Sequence, residues 1–104
     1  MPLHVTEYAN VAFLPNAVGM IPQEPPLADY TVAIGGSSAQ SPTFQLGTRM
    51  VRVETDAICS ILFGFALAGG PVATTANARF VAGQTEYRGV PEGGRMQVAV
   101  IANT

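Results

Sequence analysis

The chain has 104 residues with a formal net charge of −2; 48% of its residues are hydrophobic and 12% are charged. This length is that of one domain, with enough chain to bury a single core. The five basic residues are all arginines, scattered along the chain, which excludes the basic patch of a nucleic-acid-binding protein. No apolar stretch approaches the roughly 18 residues of a membrane-spanning helix, so we expect neither nucleic acid nor a membrane as partner.

The low charge content indicates a surface suited to protein contacts. Its charged fraction is about half of the roughly 25% that is usual in soluble domains. Neutral surface is the material of subunit interfaces, so an oligomer or assembly component is favoured over a monomer coated in Thr, Ser, Gln and Asn. We expect self-association as a dimer or trimer.

Residues 1–29 predict an irregular, proline-rich arm. They hold five of the eight prolines, and proline fixes φ and cannot donate to a strand ladder. We therefore expect an extended or looped segment with at most short edge strands, and a folded domain after removal of residues 1–25. The arm also carries apolar side chains that need cover, against its own domain or a neighbour: Val5, Tyr8, Val11, Phe13, Leu14, Val18, Met20 and Ile21.

Residues 30–104 predict short strands separated by turn signals. The segment 48–55 places Val51, Val53 and Thr55 on one face, with period two. The segment 57–66 reads as a central strand that is covered on both faces, and no segment has convincing helical periodicity. About seven strands at this spacing predict an all-β domain, a β-sandwich of jelly-roll type, with an immunoglobulin-like sandwich as the alternative. The predicted strands are 30–34, 43–46, 48–55, 57–66, 78–81, 86–90 and 95–102.

The residue types that carry catalysis are scarce. His4 is the only histidine and Cys59 the only cysteine, too few for a zinc site or a nucleophile with its base. Cys59 lies in the most apolar segment and is expected to be a small buried hydrophobe. A pair of carboxylates could serve glycoside hydrolysis, but the chain has no tryptophan to line a sugar cleft. We predict no enzymatic activity, no metal and no cofactor; the carboxylates considered are Glu54, Asp56, Glu86 and Glu92.

The amino terminus lacks the basic and apolar regions of a secretory signal, and a single cysteine excludes an internal disulfide. We therefore expect a protein that is made in and for a reducing cytoplasm, or that is released from it by lysis.

A pattern of strands and turns between residues 44 and 101 resembles small virion proteins of tailed bacteriophages. The pattern consists of short blocks of residues, with a Gly-rich turn before the last block. The blocks are Phe44-Gln45 with Thr48, Val51-Arg52-Val53, Ile58-Cys59, Ala73-Thr74, Ala82-Gly83, Glu86-Tyr87 and Met96-Gln97-Val98-Ala99-Val100-Ile101. The resemblance implies a head decoration (cement) protein, commonly a small β-sandwich that sits on the outer capsid surface and ties capsomers together.

The expected function is accordingly that of a non-enzymatic structural protein of the phage particle, with the major capsid protein as partner. The expected contact residues are Tyr8, Phe13, Leu14, Met20 and Ile21 as apolar anchors and Arg49 and Arg52, on an exposed strand edge, as polar contacts. Two alternatives stay open. One is a head–tail connector or tail-fibre component, which copy number per particle would distinguish. The other is a small carbohydrate- or receptor-binding module, against which the absence of tryptophan counts.

Overall fold

A computed structural model describes residues 2–9, 11–13, 20–22, 25–67 and 69–103, which form strands, turns and loops without a helix. Ten strands follow one another along the chain. They are β1 (Pro2–Tyr8), β2 (Val11–Phe13), β3 (Met20–Pro22), β4 (Ala28–Ala33), β5 (Ala39–Gln40), β6 (Met50–Thr55), β7 (Cys59–Phe65), β8 (Ala78–Phe80), β9 (Thr85–Gly89) and β10 (Met96–Ala102).

Eight of these strands form two four-stranded antiparallel sheets, and β2 pairs with β3 in a separate hairpin. The first sheet has the order β4-β1-β6-β9 and the second the order β5-β10-β7-β8. From β4 to β10 the chain changes sheet at every connection except that between β7 and β8. The predicted all-β sandwich is confirmed.

The core lies between the inner faces of the two sheets. In the first sheet, Val5 of β1 lies opposite Val53 of β6; in the second, Val100 of β10 lies opposite Ile61 of β7. The predicted two-residue period of β6 is confirmed, since its Val51, Val53 and Thr55 are buried. Dense packing of these branched side chains is the main source of stability in a domain of this size. The core cluster comprises Leu3, Val5, Val32, Phe44, Val51, Val53, Cys59, Ile61, Phe80, Val90, Val98 and Val100.

The expectation of an irregular arm over residues 1–29 is wrong at both ends of that segment. Residues 2–8 form β1, an inner strand that pairs with β4 on one side and β6 on the other. The physical reason is that residues 3–8 contain no proline and that residues 3–6 alternate in polarity, while Pro2 occupies the first position of a strand, where proline is tolerated. The sandwich strand β4 also begins at Ala28, before the expected boundary at Tyr30.

The central position predicted for segment 57–66 is confirmed by β7, which lies between β10 and β8. Its outward-facing Ser60 is fully buried because the β7–β8 connection folds back over the outer face of the second sheet. Gln40 Nε2 donates to the carbonyl of Pro71 at 2.6 Å, and Asn103 Nδ2 donates to Ser60 Oγ at 2.7 Å. This covered face fixes the path of the connection.

The strand predicted at 43–46 does not form. Residues 41–49 run beside β10 with isolated backbone bonds, from Ser41 N to Val98 O at 2.8 Å and from Phe44 N to Met96 O at 2.9 Å. The segment bends away because it is also held by Glu7 of β1, whose carboxylate accepts a bond from Gln45 N at 2.7 Å.

Candidate functional site

One end of the sandwich brings together the carboxyl end of β1, residues 44–49, residues 65–67 and residues 91–95; we call it the hairpin end. Arg49 N donates to Tyr8 O at 2.9 Å, Gly93 N to Leu46 O at 3.0 Å, and Ala66 N to Arg95 O at 2.7 Å. The chain leaves this end after Tyr8, forms the β2–β3 hairpin, and returns where Leu27 N donates to Glu7 O at 2.7 Å. The hairpin end is therefore one continuous surface.

Four of the seven exposed large apolar side chains among the described residues lie at the hairpin end; the other three are Val72, Val81 and Tyr87. Leu46 is 76% exposed and Leu67 is 71% exposed, with Phe65 at 52% and Leu27 at 42%. Leu27 lies beside the turn that carries Leu46, since a Cβ placed on Gly47 would lie 3.6 Å from Leu27 Cδ1. A single exposed leucine is ordinary, but a group at one end of a small domain is characteristic of a contact surface.

Glu7 is a buried carboxyl group that anchors residues 45–48 at this end by hydrogen bonds. It is 1% exposed, on the inner face of β1, and its Oε1 accepts hydrogen bonds from Gln45 N and Thr48 Oγ1, both at 2.7 Å. These two hydrogen bonds offset part of the cost of burying the carboxyl group. Burial, reinforced by the neighbouring Glu7, raises the pKa of Tyr30 far above its usual range, so this phenol stays neutral. Through its bonds to Gln45 N and Thr48 Oγ1, Glu7 holds in place the segment that carries Leu46.

Arg49 stands at the rim of the hairpin end. Its Nε and Nη2 both lie 2.9 Å from Glu92 Oε2, and both side chains are more than half exposed. Exposed ion pairs of this kind contribute at most about 1 kcal/mol, so little free energy opposes exchange of Glu92 for another acidic partner.

The structure places the expected contact residues in different environments. Tyr8 is only 3% exposed, so its expectation as a docking anchor is wrong: the ring is part of the folded body. Arg49 is exposed, at the hairpin end. Arg52 lies on the solvent face of β6, an inner strand and not a sheet edge, with Nη2 3.5 Å from Glu54 Oε2.

The other expected anchors belong to the hairpin or its surroundings. Phe13 pairs with Met20 through the backbone, and Ile21 pairs with Ala12; Leu14 lies outside the described residues. The structure therefore brings Arg49 together with the start and return of the hairpin.

Four apolar residues of the hairpin end escaped the sequence reasoning: Leu27, Leu46, Phe65 and Leu67. Leu46 was assigned to a strand, and Phe65 shares the inward phase of Cys59 and Ile61. The available signal was that Leu46 precedes Gly47 and that Leu67 follows the end of a strand, positions where a side chain has no neighbouring strand to cover it.

Elsewhere in the described part of the chain, chemistry-bearing residues are dispersed. Residues 2–9, 11–13, 20–22, 25–67 and 69–103 contain no group of three or more His, Cys, Asp or Glu side chains able to hold a metal ion and enclose no pocket. The same residues include no helix long and apolar enough to cross a membrane. Cys59 is buried, and burial raises the pKa of its thiol.

Comparison with models of known protein families, with curated proteins and with solved structures found no match to this chain.

Proposed function

We propose that this chain is a non-enzymatic structural protein of a tailed-phage particle, a head decoration protein that binds the major capsid protein and stabilises the shell. Its place would be the outer capsid surface, after synthesis in the host cytoplasm. The observation that carries the proposal is the clustering of Leu27, Leu46, Phe65 and Leu67 at the end from which the hairpin leaves. A sandwich that presents apolar surface at the end from which a hairpin leaves is suited to sit on a larger surface.

The energetics of decoration favour such a design. Association costs several kcal/mol in lost translational and rotational freedom, so a few exposed leucines give only modest affinity at one site. Subunits that bridge neighbouring capsomers gain from effective concentration, and many weak contacts then stiffen the shell.

The jelly-roll assignment is part of the same proposal. Its support is the alternation of the chain between the two sheets from β4 to β10, with one same-sheet step between β7 and β8. Two sheets of four strands linked across the core in this way are typical of jelly rolls. The immunoglobulin-like alternative has less support because sheet changes are more frequent here than in its seven-stranded order.

Co-sedimentation tests the proposal. The purified chain is mixed with empty heads of the phage that carries its gene, and bound copies are counted. We expect saturable binding in many copies per head, and at least about tenfold weaker binding for the Leu46→Ser, Leu67→Ser double variant. Val81→Ser is the matched control, since Val81 is 50% exposed at the other end of the sandwich.

Three outcomes contradict the proposal: absence of binding to heads, binding that the double variant leaves unchanged, or a handful of copies per particle. The last outcome would favour a connector or tail component. Binding on a glycan array without binding to heads would favour the carbohydrate- or receptor-binding alternative.

A further inference from the structure

Strand β9 presents an unpaired edge at the side of the first sheet. It pairs with β6 on one side only, and among the described residues nothing bonds to its other side. Val90 N donates to Arg49 O at 3.0 Å and Thr55 N donates to Gln84 O at 3.2 Å. Because bonded and non-bonded pairs alternate in an antiparallel ladder, the N–H and C=O groups of Thr85, Tyr87 and Gly89 point away from β6.

The sequence of this edge is self-complementary about Tyr87. Glu86 precedes Tyr87 and Arg88 follows it, and both face the inner side of the sheet opposite Val53 and Val51. Antiparallel pairing of two copies centred on Tyr87 places Glu86 of each chain opposite Arg88 of the other. The outward N–H and C=O groups of Tyr87 would then bond reciprocally, and Thr85 would pair with Gly89 of the second copy.

The geometry of the edge leaves room for this pairing. Glu86 and Arg88 are 36% and 40% exposed and form an ion pair at 2.7 Å within the chain, while Arg88 also lies 5.8 Å from the centroid of the Phe80 ring. Tyr87 is 52% exposed. A Cβ placed on Gly89 would meet nothing within 4 Å. The side chains of Glu86 and Arg88 are therefore already ordered along the exposed edge of the first sheet.

The other three edges of the two four-stranded sheets lack these properties. β5 has two residues and β8 three, too short for a stable added strand. β4 has six residues but carries a single charge, Asp29, so two copies of β4 would bring no opposite charges together. Charge complementarity therefore selects β9.

We infer that two copies of this chain associate through β9, in a two-fold antiparallel pairing centred on Tyr87 that joins their first sheets into one eight-stranded sheet. The pairing specifies the self-association that the low charge content predicts, and it requires no capsid. The purified chain alone tests it, so its failure leaves head binding through the hairpin end untouched.

Charge reversal provides the test, with sedimentation equilibrium as the measurement. Wild type is expected to reach twice its 10.8 kDa mass as concentration rises. Glu86→Arg and Arg88→Glu each place like charges opposite one another and should raise the dimer Kd at least about tenfold. An equimolar mixture of the two variants should form heterodimers, and the double variant should recover self-association. Asp29→Arg on β4 is the matched control and should leave the Kd unchanged.

Hydrogen exchange on wild type keeps the test independent of variant folding. The amides of Thr85, Tyr87 and Gly89 should exchange freely in dilute solution and become protected as the dimer forms. Wild type that stays monomeric at all concentrations, a trimer, or single variants with the wild-type Kd would overturn the inference, as would unprotected Tyr87 amides in the dimer.

Discussion

The two ends of the sandwich share one core and differ in how they are closed. At the end opposite the hairpin, polar bonds tie the turns together: His4 Nε2 lies 3.0 Å from Asp56 Oδ2, and Gln84 Oε1 accepts from Val81 N at 3.0 Å. Among the described residues, Val81 is exposed at that end, Val72 in the β7–β8 connection and Tyr87 on β9, against four large apolar side chains at the hairpin end. Folding alone does not require exposed apolar side chains at the hairpin end, and this difference is the basis of the proposed contact surface there.

Removal of residues 1–25 should have the largest effect, because it takes away β1. The first sheet would lose its inner strand, with fully buried Leu3 and Val5, and the remainder should not fold. Circular dichroism and the absence of a cooperative thermal transition would report this.

Replacement of residues 11–23 by a short Gly-Ser link is the matched control for that deletion. The link keeps β1 and should leave a folded sandwich, since Leu27 N already returns to Glu7 O. A folded product from the 1–25 deletion would show that the arm is separable after all.

Glu7→Ala should cost about 3 kcal/mol of unfolding free energy. It leaves the buried Thr48 Oγ1 and the partly buried Gln45 N without their acceptor. Glu7→Gln keeps an acceptor and should cost about 1 kcal/mol, while Glu92→Gln at the exposed ion pair should cost less than about 0.5 kcal/mol. Urea unfolding measures all three. Equal losses of unfolding free energy for the Glu7 and Glu92 variants would contradict the structural role of the buried Glu7 at the hairpin end.

Gly70→Ala should loosen the connection that carries Leu67. Gly70 has φ of +81°, and an added Cβ would collide with Gln97 Oε1 and Gln40 Nε2. Gly69, with φ of +91°, meets nothing within 4 Å and is the matched control. We expect a loss of about 2 kcal/mol for Gly70→Ala and about 1 kcal/mol for Gly69→Ala, measured by thermal or urea unfolding; the reverse order would contradict the described packing of this loop.

The rate at which a thiol reagent labels Cys59 reports how tightly the core is closed, without any substitution in the chain. The thiol is buried, with its Sγ 3.4 Å from Thr55 Oγ1, and burial raises its pKa, which reduces the thiolate present at any given pH. A thiol reagent should label the folded chain at least about a thousandfold more slowly than the urea-unfolded chain. Comparable labelling rates for the folded and unfolded chains would mean that the core around Cys59 opens readily.

Most strands after β1 were predictable from the sequence because burial imposes a pattern. β6 alternates between core and solvent, and β7 and β10 are apolar segments that end at turn signals. Six of the seven predicted strands match β4 and β6 to β10 within a few residues. β1 was obscured by the prolines that follow it, although residues 3–6 alternate in polarity. β5 has two residues and carries no periodic signal.

The candidate site was less predictable because exposure at a sandwich end depends on which loops meet there. Phe65 has the inward phase of β7 but extends past the cover of its neighbours. Tyr8 has an outward phase and is nevertheless buried. Neither outcome follows from local sequence, since both depend on segments distant in the chain. The hairpin residues Phe13, Met20 and Ile21 stay predictions as contact anchors.

Electron cryomicroscopy of phage heads saturated with the purified chain tests the central claim most directly. The proposal predicts one density per equivalent capsid site, with the hairpin end of the sandwich against the shell and the His4–Asp56 end facing outward. Density with the opposite end against the shell, or density confined to the neck or tail, would contradict the account.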